Sequence, residues 1–130
     1  MEHAAHTSIT LGAINVDADD PPTLARFWSE VLGGVVEASS ADFAHVANSQ
    51  PGGFAMFFTA RRDARPEQQT QHLDLTVPWG SRADEVERLT SLGATLQWEV
   101  LDDYPWVKWS TLTDPEGNLF CVAEHPPAHS

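Results

Sequence analysis

Apolar residues recur along this chain in two rhythms, and the two rhythms come in the same order twice. Residues 11–16 alternate, with Gly12, Ile14 and Val16 on one side, which predicts a half-buried strand. Residues 72–77 alternate in the same way, with Leu73, Leu75 and Val77 on one side. A helical rhythm follows each strand. Leu24, Phe27, Trp28, Val31 and Leu32 have the spacing of a buried helix stripe, and Val86, Leu89 and Leu92 share a face of a second helix. Asp19 or Asp20 can cap the first helix, with Pro21 and Pro22 in the opening positions where proline is tolerated. Ser81 can cap the second, and Asp84 three residues on resembles a capping box. Gly33-Gly34 and Gly93 follow the stripes and end the helices, because glycine accepts the left-handed conformation there.

Three shorter strands complete each half. Residues 35–38, 43–47 and 54–59 are the candidates in the first, with Gln50-Pro51-Gly52-Gly53 as a turn. Residues 95–101, 106–113 and 119–123 are the candidates in the second, with Asp114-Pro115-Glu116-Gly117-Asn118 as a turn. In both turns proline presets φ and glycine supplies a positive φ. The expected fold class is α+β, built from two tandem βαβββ modules. The modules span residues 8–60 and 71–125 of one domain, 8–125. Residues 61–70, rich in Arg, Gln and Asp, form a polar linker between them. Residues 1–8 and 126–130 read as frayed tails.

Bulk properties narrow the partners. The chain has 130 residues, enough for a single domain with its own core. Its formal charge of −12, with no cluster of Lys or Arg, argues against nucleic acid. The same charge suits a cationic ligand, or simply keeps the surface solvated. No apolar run is long enough for a membrane span, and the first eight residues lack the pattern of a signal peptide. Cys121 is the only cysteine, so no intrachain disulfide forms, and a cytoplasmic location is expected.

The duplicated βαβββ order, the helix-ending Leu32-Gly33 and Leu92-Gly93 pairs, and the segment from Asp114 to Phe120 together resemble the vicinal-oxygen-chelate superfamily. That superfamily contains glyoxalase I, bleomycin-resistance proteins and extradiol dioxygenases, and the chain is most similar to its glyoxalase-like subgroup. The resemblance covers roughly residues 8–125. It implies curved mixed sheets around a cavity, and a homodimer.

It also implies where a metal would sit. Metal-dependent members place one ligand in the first strand of each module, five residues before its final valine. The others lie in the last strand of each module, four residues after the hairpin glycine. In the second module these positions are His72 and Cys121, and in the first they are Leu11 and Phe57. Aligning the first strand on its helix instead puts Ala13 in the place of Leu11. Leu11, Ala13 and Phe57 carry no donor, while closing a divalent site normally takes three protein ligands or more. His45 is the other candidate nearby. The expectation is therefore no metal and no other cofactor.

The residues that remain suit a small-molecule ligand. His72 is either an acid–base or hydrogen-bonding group, or a satisfied core histidine. Asp74 and Thr76 share its strand face, so Asp74 can orient His72, hold a cation, or be a plain surface carboxylate. Cys121 is either a pocket thiol or a small core residue. Five tryptophans are many for this length, and Trp98, Trp106 and Trp109 cluster in the second module beside Tyr104. They line a cavity for a small aromatic or cationic ligand, or they anchor the core. If its strand is regular, Trp106 and Trp109 face opposite ways. Two functions follow. One is metal-free binding of the bleomycin-resistance type. The alternative is a lyase, isomerase or dioxygenase that uses His72, either with a metal or as a general base.

Overall fold

The computed structural model describes residues 6–48 and 50–127, so the outer parts of both expected tails lie outside the described residues. The first module runs β1 (Ala13–Ala18), α1 (Pro21–Leu32), β2 (Val35–Ser40), β3 (Phe43–Ala47) and β4 (Ala55–Ala60). The second repeats it with β5 (Leu73–Thr76), α2 (Arg82–Leu92), β6 (Thr95–Val100), β7 (Lys108–Thr113) and β8 (Leu119–Glu124). Each module folds into its own mixed four-stranded sheet, with strand orders β1-β4-β3-β2 and β5-β8-β7-β6. Only the pairings β1–β4 and β5–β8 are parallel.

Helix α1 forms where its stripe requires, with Leu24, Ala25, Phe27 and Trp28 buried. Its first two positions are prolines, which have no N–H to leave unsatisfied. The third, Thr23, donates its N–H to the Asp20 carboxylate at 3.4 Å, so Asp20 is the cap. Gly33 ends the helix in the left-handed region, at φ 70°. Gly34 beside it is needed for space, since a Cβ there would come within 2.6 Å of the Ala47 carbonyl oxygen.

Helix α2 begins differently from expectation. Ser81 has a helical backbone rather than the extended one of a cap, and its hydroxyl donates to the Pro78 carbonyl at 2.6 Å. The Ser81/Asp84 capping box therefore does not form. Asp84 and Glu85 still place negative charge in the first turn, where the helix dipole favours it.

Phe58, Phe120, Leu24, Met56, Leu89 and Leu112 are among the largest side chains sealed in the core. Phe120 of the second module meets both Phe27 and Trp28 of the first, with ring centroids 6.3 and 5.0 Å away. Polar contacts join the modules around this cluster. The Trp28 indole N–H donates to Asp114 at 3.1 Å, and the Glu116 carboxylate accepts the backbone N–H groups of Asp19 and Asp20 at 2.7 and 2.9 Å. Arg88 of α2 donates to the carbonyls of Glu30 and Val31 near the end of α1, a favourable place for a cation. The hairpin that reads in sequence as a plain turn thus also anchors the start of the other module's helix.

Candidate functional site

Strand register decides which side chains share a surface. Leu73 and Leu75 of β5, Val122 of β8 and Leu112 of β7 pack into the helix-covered core. The alternate positions face away from it. On that open face Asp74 lies opposite Cys121, Cys121 opposite Thr111, and Thr111 opposite Trp98. The next row holds Thr76, Ala123, Trp109 and Val100. His72 sits just before β5, two residues from Asp74, and so joins the same face.

Three of these residues converge. His72 Nε2 lies 3.2 Å from Asp74 Oδ1. The ligand-capable atoms of His72, Asp74 and Cys121 all lie within 4.8 Å of one another. The His72 and Asp74 side chains are 50% and 71% exposed, so the group is open to solvent. Cys121 is buried beside them and shares a 3.2 Å hydrogen bond with the Thr111 hydroxyl. Burial pushes the Cys121 thiol up from its ordinary range, the Thr111 contact pulls it down, and the nearby Asp74 carboxylate raises it again.

The aromatic residues lie on the same open face. Tyr104 stacks on Trp109 at 5.8 Å and 17°, and contacts Trp106 at 5.3 Å. Trp106 precedes β7 instead of belonging to it, so strand alternation does not reach it, and Tyr104 brings it to the Trp109 side. Trp98, Tyr104 and Trp106 are 52%, 42% and 62% exposed. The expected tryptophan-lined cavity takes a different form. A cleft of about 950 Å³ lies between the modules beneath the linker and reaches His72, and a second of about 410 Å³ reaches Asp74 and Thr76. Neither is lined by Trp98, Trp106 or Trp109. Trp98 and Trp106 are instead exposed and Trp109 is half-buried against Tyr104, because β6 and the segment leading into β7 lie at the far side of the sheet from β5.

The first module repeats the geometry with different chemistry. Asn15, Phe57, His45 and Ala38 make the row equivalent to Asp74, Cys121, Thr111 and Trp98. His45 stacks on Phe57 at 4.5 Å and 11°, and Phe43 lies 5.8 Å from Phe57. Register also settles the counterpart of His72. Since Asn15 answers Asp74, Ala13 answers His72, and Leu11 lies before β1 in exposed chain. Sequence reasoning passed over Thr111 and Asn15, whose only signal is parity with Trp109 and Ala13.

A divalent ion shared between the modules can be tested against these residues. Ala13 and Phe57, at the first module's two ligand positions, offer no donor atom. The superfamily's two-module chelate therefore does not fit this chain.

A duplicated βαβββ fold with an open, partly polar sheet face defines the vicinal-oxygen-chelate class. Residues 13–123 match the model of the glyoxalase-like domain, and the chain belongs to that family. Its fold is shared with a glyoxalase/bleomycin resistance protein/dioxygenase family enzyme from Burkholderia phytofirmans PsJN. That match has 19% identity and a TM-score of 0.76, covering 91% of this chain and 100% of the other. A glyoxalase-related enzyme from Fulvimarina pelagi matches at 19% identity and TM-score 0.70, over 93% of each chain. The oxidase ChaP-H2 matches at 20% identity and TM-score 0.69, over 92% of this chain and 96% of its own. Among curated proteins, none matches the chain in sequence.

Proposed function

We propose that the protein binds a small flat or cationic organic molecule on the open face of its second sheet, in a binding mode that uses no metal. The aromatic platform carries this reading. Tyr104, Trp106 and Trp98 expose large ring surfaces on the sheet face whose opposite edge carries the His72–Asp74 pair, and exposed aromatic surface of this kind marks binding sites. Ring faces attract flat molecules and cations alike, and a formal charge of −12 draws cations to the protein. Trp109 supports the platform from beneath, Asp74 supplies the counter-charge, and Thr76, Cys121 and His72 form its polar margin. Phe57 serves the matching face of the first module. The same reading includes a homodimer, supported by the exposed apolar Val35 and Leu96 on the free edge strands β2 and β6. It includes a cytoplasmic site of action, supported by the unpaired Cys121. Among the described residues no helix is long and apolar enough to cross a membrane.

The test is tryptophan quenching in chelator-containing buffer, using flat organic cations and neutral aromatics of matching size. Saturable quenching by one ligand per chain is expected. Trp106→Ala should weaken it roughly 2- to 30-fold, the range that about 0.5–2 kcal/mol of ring–cation contact corresponds to. Quenching that never saturates, or that Trp106→Ala and Trp98→Ala leave unchanged, would refute the platform.

One observation favours a second reading, a lyase, isomerase or dioxygenase of the same superfamily. Asp74 contacts His72 Nε2 at 3.2 Å, the arrangement that holds an imidazole ready as a general base. A catalysed reaction abolished by His72→Ala, with ligand quenching retained, would establish it.

A further inference from the structure

We propose that His72, Asp74 and Cys121 form a cation site confined to the second module, for a thiophilic divalent ion of the zinc class. Two facts of strand geometry assemble it. The parallel β5–β8 register puts Asp74 directly opposite Cys121. The two-residue repeat of a strand then brings His72 to the same side as Asp74. Counting only positions that answer one another between the modules gives two donors. The cross-strand pairing adds Asp74 as the third.

The spacing suits a small tetrahedral ion. Bonds of about 2.0–2.3 Å at tetrahedral angles separate ligand atoms by roughly 3.2–3.8 Å. The His72–Asp74 separation of 3.2 Å already meets this. The Cys121 sulfur lies no more than 4.8 Å from the other two ligand atoms, so joining the ion takes a closing movement of at most about 1 Å. The donor set is one imidazole nitrogen, one carboxylate oxygen and one thiol sulfur. Sulfur and nitrogen select zinc-like ions over magnesium and calcium, which favour all-oxygen shells. Three protein ligands leave a fourth position free, and the exposure of His72 and Asp74 gives it access to solvent. The Thr111 hydroxyl, 3.2 Å from Cys121 Sγ, is the outer partner that fixes the sulfur. The exposed rings do not depend on this ion, but His72, Asp74 and Cys121 serve both readings. An occupied ion site therefore takes the counter-charge from a cationic ligand, and the platform is tested with the ion removed.

The experiment uses the full chain without a histidine tag, stripped with chelator and titrated with Co²⁺. The expected result is one Co²⁺ per chain, with the near-ultraviolet charge-transfer absorption of a cobalt–sulfur bond, and displacement by Zn²⁺. Asp74→Asn, an exposed substitution that leaves the core alone, should weaken Co²⁺ binding by roughly tenfold or more, since even outer-shell losses cost that much. Cys121→Ser, close in size to the native residue, should remove the sulfur absorption. Failure to bind Co²⁺, binding without the sulfur band, or affinity unchanged in Asp74→Asn would each overturn the site. Quenching by the organic ligands is measured in chelator, so its loss with Co²⁺ binding intact overturns the platform alone, and the converse overturns the metal site alone.

Discussion

Asp20 shows how much a single carboxylate can settle. Its side chain accepts the Thr23 N–H and the Thr23 hydroxyl, the latter at 2.7 Å. These two hydrogen bonds, hydroxyl first, hold its pKa below the ordinary carboxylate value, with Arg26 adding to the effect. A depressed folded-state pKa contributes stability that is fully present above the unfolded value and is lost as pH falls through the folded one. Asp20→Ala should therefore lower the melting temperature at neutral pH. The gap from wild type should narrow in acid, once the carboxylate is protonated, and thermal melts across that range would show it. A constant gap at every pH would mean that the charge contributes nothing. The sequence narrowed the cap to Asp19 or Asp20, because Asp before Pro-Pro and an apolar stripe has few other uses, and the Thr23 contact decides for Asp20. The failure of Ser81 to do the same was not legible, since it depends on the Pro78 carbonyl lying within reach of the hydroxyl.

Among the elements, α2 depends on a residue that no apolar pattern reveals. Arg82 opens the helix and is buried between it and the sheet. Its Nη1 donates to Glu99 of β6 and to Ser110 of β7, each at 2.7 Å. Its Nε lies 2.8 Å from Glu124 of β8, off the N–H direction, so that contact is an ion pair without a directed hydrogen bond. Glu124 also accepts the Gly80 N–H at 2.8 Å, which fixes the turn leading into α2. One guanidinium thus links the helix to three strands. Removing one partner of a buried pair leaves the other charges uncompensated and costs about 3–5 kcal/mol. Arg82→Met should lower stability by about that amount in urea unfolding, and Glu99→Gln by less, because Glu99 keeps some access to water. Equal losses would show that burial does not set the cost. In the sequence Arg82 reads as one more polar residue near a helix start, and its partners lie 17 to 42 positions away.

At the scale of the whole molecule, the modules hold together through few but specific contacts. The Trp28–Phe120 ring pair and the Trp28–Asp114 hydrogen bond sit at their centre. Trp28→Phe keeps most of the ring surface but removes one donor from the buried Asp114 carboxylate, which still accepts from the Glu116 and Asn118 N–H groups and the Asn118 amide. The cost should be about 1–3 kcal/mol, seen as a lower urea midpoint with an unchanged slope. A shallower slope would instead point to one module unfolding before the other. The linker adds restraint. Arg65 donates to the Glu116 carbonyl and the Asn118 side chain, while Gln69 pairs with both backbone groups of Leu119. A stretch that reads in sequence as a loose polar connector is thus tied along the Asp114–Asn118 hairpin and covers the larger cleft.

Periodicity and turn chemistry determined the element order, the duplicated modules, the helix stripes and the face shared by His72, Asp74 and Thr76. All are local properties, set by residues two to eight positions apart. Only the tertiary structure decided which strands lie side by side. It thereby decided that Ala13 and not Leu11 answers His72, that Asp74 meets Cys121, and that Trp98, Trp106 and Trp109 lie outside both clefts. The reason is physical. A strand's alternation states which residues share a face, but its register against a neighbour depends on hydrogen bonds between segments distant in the chain. A shift of two residues keeps every side chain on its face and changes every partner.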